Sequence, residues 1–159
     1  MAKEIERKFL VNKEEWLRSC HHCPCGYNQI GISQGYLFDI RGHVRRIRIT
    51  SDCKAKVTYK GPTKGITRTE VEFGVPYVIG KILEKFCGKV IHKTRTKAGI
   101  PGTNLVAEVD EFHNLSQELF LAEVELPSED VVFIEPEWMG SEVSDNPFYY
   151  NSNLIRLVV

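Results

Sequence analysis

The sequence predicts an α+β fold in which antiparallel strands dominate and a few helices pack on the apolar face of the sheet. Three observations carry that expectation. Eight segments show apolar and polar residues alternating with period two, the signature of half-buried strands. The spacings between them are hairpin-like, which points to an antiparallel sheet or barrel. Only four short stretches carry helix signals. At 159 residues the chain has one domain's length, so residues 1–159 are expected to form a single unit.

The first strand is expected over 4–11, where Ile5, Phe9 and Val11 share one face and Glu4, Glu6 and Lys8 the other. The segment 34–37 is a second candidate. In 44–49, Ile47 and Ile49 oppose Arg46 and Arg48. The strand at 56–60 runs into the turn signal Gly61-Pro62. In 68–73, Arg68, Glu70 and Glu72 oppose Val71 and Phe73. Further strands are expected at 92–95, before the turn at 99–102, at 105–112 and at 122–126, which ends at Pro127. Asn12 can cap a helix over 13–19. Pro76 opens a second, in which Val78, Ile79, Ile82, Leu83 and Phe86 recur at helical spacing until Gly88. Ser128 is expected to cap a short helix over 129–133, and Ser144 or Asp145 another that includes Pro147.

Composition narrows the function classes. Lys plus Arg and Asp plus Glu number 21 each, and a net charge of zero argues against a general basic nucleic-acid binder. No stretch approaches the ~18–20 apolar residues of a membrane span, and the charged N-terminus lacks the apolar run of a signal peptide. A cytoplasmic protein without membrane contact is expected. The odd count of five cysteines is not a disulfide framework. The crowded Cys20-His21-His22-Cys23-Pro24-Cys25 has the ligand types for zinc, but Cys53, Cys87 and His92 offer no matching second pair, so it is read as a reduced loop. Trp16 and Trp138 read as packing residues. His92 and His113 flank strand ends, and Phe148, Tyr149 and Tyr150 read as a docking C-terminal segment.

The arrangement of charge carries the chemistry. The polar faces of the strands hold Glu4, Glu6, Glu70, Glu72, Glu108, Asp110, Glu123 and Glu125 together with Lys8, Arg46, Arg48, Lys60, Arg68, Lys93 and Arg95. A merely solvated face would accept Ser, Thr, Asn and Gln as well; this one is nearly all carboxylate and cation. The signs are also sorted by strand, and two carboxylates side by side repel unless a cation lies between them. In a barrel such residues would line the interior, where dry burial costs several kcal/mol per ion. A wet tunnel with charged ligands removes that difficulty. Acidic pairs suit Mg²⁺ or Mn²⁺ and arginine forks suit phosphate oxygens, so the expected ligand is a polyphosphate with its metal ions.

The segment Glu4-Ile5-Glu6-Arg7-Lys8 resembles the ExExK signature of the CYTH superfamily, the triphosphate tunnel metalloenzymes. The stretches 34–37, 46–48, 58–60, 68–72, 93–95, 108–110 and 123–125 resemble the later family motifs in order, and 136–143 resembles the closing segment of the short bacterial members. The resemblance implies an eight-stranded antiparallel barrel with a charged tunnel, peripheral helices, and metal-dependent hydrolysis of inorganic triphosphate to pyrophosphate and phosphate. Glu4, Glu6 and Lys8 would be catalytic. Lys8, Arg46, Arg48, Lys60, Arg68, Lys93 and Arg95 would bind phosphates. Glu4, Glu6, Glu123 and Glu125 would hold Mg²⁺ or Mn²⁺, with Glu70, Glu72, Glu108 or Asp110 at a second position. The alternatives within this reading are a class IV adenylyl cyclase and a polyphosphate-binding module without turnover. The partner is a small-molecule triphosphate, and monomer and homodimer are both open. One departure stands out: family members often aim a lysine back into the tunnel from the C-terminal segment, whereas residues 149–153 here contain none. Arg156 or a polar side chain would have to substitute.

Overall fold

The structure, a computed structural model, describes residues 2–21, 28–40, 43–62 and 66–159. Among the described residues there are nine strands: β1 (Ala2–Val11), β2 (Gln29–Ile40), β3 (His43–Thr50), β4 (Ala55–Lys60), β5 (Thr67–Val75), β6 (Val90–Gly99), β7 (Val106–Phe112), β8 (Leu119–Glu125) and β9 (Met139–Glu142). The helices are α1 (Lys13–His21), α2 (Tyr77–Glu84) and α3 (Asn151–Leu154), with 3-10 turns at Pro147–Tyr149 and Ile155–Leu157.

All the strand pairings are antiparallel, in the order β5-β4-β3-β2-β6-β7-β8-β1-β9. β1 divides its length between partners. Its first half pairs β5 (Ala2↔Glu70 to Ile5↔Thr67) while Glu6 to Leu10 pair β8. The pairing with β5 brings the ends of the order together, so eight strands follow one another around a tunnel; the Glu6 N–H adds to the seam by donating to the Ile66 carbonyl at 3.1 Å. The α+β barrel-like architecture expected from the alternation is therefore present. The ninth strand was not expected; it is a four-residue addition beside the far end of β1, where Phe9↔Glu142 and Val11↔Met139 pair.

Period two assigns the two faces of each strand. The outward face builds two apolar clusters. In one, Phe9, Trp16, Val109, Phe120, Val124, Phe133 and Trp138 bury α1 and the 126–139 segment against β1, β7 and β8. Trp16 and Trp138 meet edge to face at 5.0 Å, as packing residues should. In the other, Ile47, Ile49, Ala55 and Cys87 pack with Leu83 of α2. The inward face of the barrel changes character along its length. Leu10, Tyr36, Ile91, Phe112, Leu119 and Leu121 continue the inward register past the charged residues, and with Leu154 of α3 they form an apolar plug at one end.

Two helix expectations are corrected. No helix forms over 129–133; Val131 makes a single turn to the Ser128 carbonyl (3.4 Å) and the chain then continues without regular secondary structure to residue 136. The run Val131-Val132-Phe133-Ile134 is stiff and favours extended backbone, and that path sets Phe133 on Phe9 with ring centroids 6.0 Å apart. The turn at Pro147 is capped by Asn146, whose side chain accepts from the Phe148 N–H. Ser144 is taken up elsewhere: its hydroxyl accepts from the Lys8 backbone at 2.9 Å and donates to Glu142 at 2.6 Å. The Cys20–Cys25 zinc question falls mostly outside the described residues, which include Cys20, Cys53 and Cys87 as free thiols.

α2 lies close on the sheet because Gly80 faces it. A Cβ at position 80 would collide with that of Ala55. Gly80→Ala should therefore lower stability by about 1–3 kcal/mol, the usual cost of overpacking, read from the denaturant midpoint. An unchanged midpoint would show that α2 does not sit at this depth.

Candidate active site

The inward residues form two facing walls of opposite sign. β4, β3 and β6, with β2 between the last two, present Lys56, Lys60, Arg46, Arg48, Arg95 and Lys97. β7, β8, β1 and β5 present Glu108, Glu123, Glu125, Glu4, Glu6, Glu70 and Glu72. All of these side chains line one cavity of about 870 Å³. A much smaller cavity, about 50 Å³, continues past Glu4, Glu6, Arg46 and Lys60 toward the plug. Lys8, Tyr36, Tyr150, Asn151 and Ser152 line it as well. The bore is wide at one end and nearly closed at the other.

Much of the charge is neutralised across neighbouring strands. Lys60 bridges Glu4 (2.9 Å) and Glu70 (2.8 Å). Lys8 reaches Glu123 (2.9 Å), lies 3.6 Å from Glu6, and donates to the Tyr149 carbonyl at 3.3 Å. Arg95 is the hub: its fork grips Asp110 through Nε (2.7 Å) and Nη2 (2.7 Å), reaches Glu123 at 2.8 Å and also contacts Glu108. Lys93 meets the second Asp110 oxygen at 2.5 Å. Glu72 accepts from Lys56 (2.6 Å) and Thr58 (3.0 Å) and lies 3.8 Å from Arg46.

Each wall nevertheless keeps a surplus of its own sign. On the acidic side, Glu6 stands directly opposite Glu125, and Glu108 opposite Glu123, placements that repel without a counter-ion. Burial and then the charges of Glu4, Glu108 and Glu6 raise the Glu125 carboxyl above its ordinary range. Burial and a hydrogen bond with Glu4 raise Glu70. On the basic side, burial and then the neighbouring Arg46 and Arg95 pull Arg48 down to about 10. Nε of Arg46 and Nε of Arg48 are buried without a hydrogen-bond partner, although Arg48 Nη2 reaches Gln34 (3.4 Å) and Arg46 Nη2 reaches Thr58 (3.2 Å). A buried donor without a partner costs about 1–3 kcal/mol, which an anion in the bore would recover. Surplus carboxylate on one wall suits a hard divalent cation. Among the described residues no three acids, histidines or cysteines form a ready-made ligand set.

The expected residues are thus mostly brought together, with three exceptions. Lys93 and Asp110 are buried behind the lining, fully enclosed; burial pushes Lys93 down to about 7. Burial opposes the ionised form of Asp110 as well, but the charges of Arg95 and Lys93 hold its carboxyl below the usual range. Both Asp110 oxygens are engaged by cations. The Arg68 side chain lies outside the described residues; its backbone pairs with Glu4 at the seam. Other lining residues went unassigned in the sequence. Lys56 and Lys97 continue the i, i+2 spacing of Lys60 and of Lys93/Arg95, a signal that was available. Asn151 carried no such signal. It reaches Glu123 at 3.1 Å from the C-terminal segment, where a lysine was missed, and its Oδ1 is buried without a partner. A polar side chain takes that position, while Arg156 is exposed.

The geometry defines a β-tunnel protein with its site inside the bore. Comparison with known proteins identifies which one: the family model for the CYTH domain matches residues 2–152, and the chain belongs to that family. An inorganic triphosphatase of Acetivibrio thermocellus is 39% identical over 158 residues, covering 98% of this chain and 95% of that protein. An inorganic triphosphatase of Nitrosomonas europaea is 31% identical over 155 residues, covering 95% of each. The crystal structure of the inorganic triphosphatase NE1496 superposes with a TM-score of 0.66 at 28% identity, over 100% of this chain and 97% of that one.

The Asp110 network sets a pH dependence. Its native carboxyl titrates below the unfolded one, near 3.9, so between those values the unfolded chain binds more protons and stability falls as pH drops. Asp110→Asn should cost about 3–5 kcal/mol at neutral pH by leaving buried cations short of a partner. The gap from the parent chain should narrow as pH falls through the ordinary carboxylate range. A gap that stays constant from pH 7 to about pH 3, by denaturant titration, would contradict this.

Proposed function

We propose that this chain hydrolyses inorganic triphosphate to pyrophosphate and phosphate with Mg²⁺ or Mn²⁺, as a cytoplasmic enzyme. The observation that supports it best is the pair of opposed walls: arginines whose Nε atoms lack a hydrogen-bond partner face a row of carboxylates across a bore wide enough for a short chain of phosphates. The two relatives named inorganic triphosphatase support the same substrate.

In this reading Arg46, Arg48, Lys60 and Arg95 grip phosphate oxygens, with Lys56 and Lys97 nearer the wide mouth. Glu4, Glu6 and Glu125 hold the metal, and Glu70, Glu72, Glu108 and Glu123 stand within the same wall. A bound divalent cation supplies Lewis-acid charge to phosphate oxygens and orients water. Lys8, held between Glu123 and the Tyr149 carbonyl, donates to an oxygen at the narrow end and stabilises charge developing there. Water attacks the terminal phosphorus in line, the bond to the bridging oxygen breaks, pyrophosphate leaves, and the proton lost from water passes through the Glu4/Glu6 carboxylates to solvent. Asp110 acts through Arg95 and Lys93: with both its oxygens occupied it anchors the cationic wall and is not assigned to metal. The apolar plug supports a short substrate, since a long phosphate chain has no second exit.

The test is a panel of tripolyphosphate, pyrophosphate, ATP and thiamine triphosphate with each metal, scored for phosphate release and cyclic AMP. Tripolyphosphate should be preferred, chelation should abolish turnover, and Arg48→Ala should reduce kcat/KM by about 10²–10³, the scale for a charge-stabilising donor. Cyclic AMP formation from ATP, or tight tripolyphosphate binding with no product, would overturn the proposal.

A further inference from the structure

The C-terminal segment carries a polar group with no role in the reaction proposed for the bore. Asn151 lines both the wide cavity and the narrow one, so it stands where the two meet. Its Nδ2 donates to Glu123 Oε1 at 3.1 Å. Burial opposes the ionised form of Glu123, but the charges of Lys8 and Arg95 hold its carboxyl well below the usual range. An ionised carboxylate only accepts hydrogen bonds, so the nitrogen end of the amide has to face it. The oxygen end is left over, and among the described residues Oδ1 is buried with no hydrogen-bond partner. The segment around it is tied down. The Tyr149 carbonyl accepts from Lys8, Asn153 Nδ2 donates to the Pro147 carbonyl at 2.7 Å, and Leu154 is fully buried in the plug. The amide is therefore held at one depth of the bore.

A buried acceptor without a partner is unfavourable, so the contents of the bore have to supply a donor. Phosphate oxygens that carry no proton are themselves acceptors and cannot serve. A divalent cation is opposed at this point by the Lys8 ammonium, which sits on the same Glu123 oxygen at 2.9 Å. A water molecule meets neither objection. The narrow cavity measures about 50 Å³, and a water needs about 10–15 Å³ of such space together with two to four polar partners. Glu4, Glu6, Lys8 and Asn151 all line it. The bore is thus a wide chamber that takes the phosphate chain and, past Asn151, a polar chamber of the size that suits water.

We propose that the narrow chamber holds the hydrolytic water and that Asn151 Oδ1 accepts one of its hydrogens. The assignment rests on the triphosphatase reaction proposed for the bore. The other hydrogen points to the Glu4/Glu6 carboxylates, which take the proton as the new bond from water oxygen to the terminal phosphorus forms. The bond to the bridging oxygen breaks on the far side, and pyrophosphate leaves toward the wide mouth. Water gives a hydrogen to each acceptor, whereas an alcohol has only one to give.

Asn151→Ala should lower kcat for tripolyphosphate about 10–100-fold and change KM less than about threefold, with circular dichroism unchanged. In dilute methanol it should raise the ratio of methyl phosphate to phosphate, read by phosphorus NMR, about tenfold over the parent chain, the scale of one lost hydrogen bond. Calorimetric binding of tripolyphosphate in EDTA should stay within about threefold of the parent. Asn151→Lys adds a cation without an acceptor, so it should bind tripolyphosphate more tightly and still lose kcat; it carries the test if the alanine variant does not fold. A lysine variant with the parent's kcat or more would make position 151 a phosphate contact and overturn the assignment. So would an alanine variant that keeps kcat, or one whose methyl phosphate ratio does not move. A parent chain that releases no phosphate from tripolyphosphate would overturn the reaction itself, and this assignment with it.

Discussion

Opposed charge inside a small space is the constraint on which this molecule depends. Cations on β3, β4 and β6 and carboxylates on β1, β5, β7 and β8 share one bore. Ions held dry at such density would unfold a domain of this size, since each costs several kcal/mol to dehydrate. The fold meets the cost in two ways. Behind the lining, Lys93 and Asp110 pair with each other, and Asp110 also holds Arg95 of the lining at contact distance. In front of it the bore stays wet, and the residual surplus on each wall is left for a ligand to cancel. Stability and function therefore draw on the same residues.

The rest of the architecture serves that bore. Two apolar clusters lie outside the barrel, so the hydrophobic core of this protein is mainly a shell around a polar interior. The exception is the plug, which closes one end by continuing the inward register with Leu10, Ile91, Phe112 and Leu121. The C-terminal segment docks there, placing Asn151 against Glu123 and the Tyr149 carbonyl on Lys8. A chain entering from the wide mouth meets arginines along one side and carboxylates along the other before it reaches a wall.

Much of this was legible in the sequence because strand periodicity is strict. The acids singled out from the sequence, Glu4, Glu6, Glu70, Glu72, Glu108, Asp110, Glu123 and Glu125, all sit on an inward register, and period two leaves no other placement once the apolar partners Ile5, Ile47 or Val124 are buried outside. Periodicity cannot tell how deep along the bore a residue lies. Asp110 and Glu108 read alike, yet one is fully enclosed between cations and the other lines the cavity. The helix expected over 129–133 failed for a different reason: a capping serine is a local signal, and the β-branched run after it, together with the packing of Phe133 on Phe9, outweighed it. Asn151 was hidden because its segment has no periodicity to place it.

The central claim, that both walls meet one ligand in this bore, is tested most directly by a crystal structure with tripolyphosphate and Mn²⁺, using anomalous scattering to locate the metal. The account predicts phosphate oxygens on Arg46 and Arg48 and a manganese signal beside Glu4, Glu6 and Glu125. Phosphate held on the outer surface, or manganese bound away from the carboxylate wall, would contradict it.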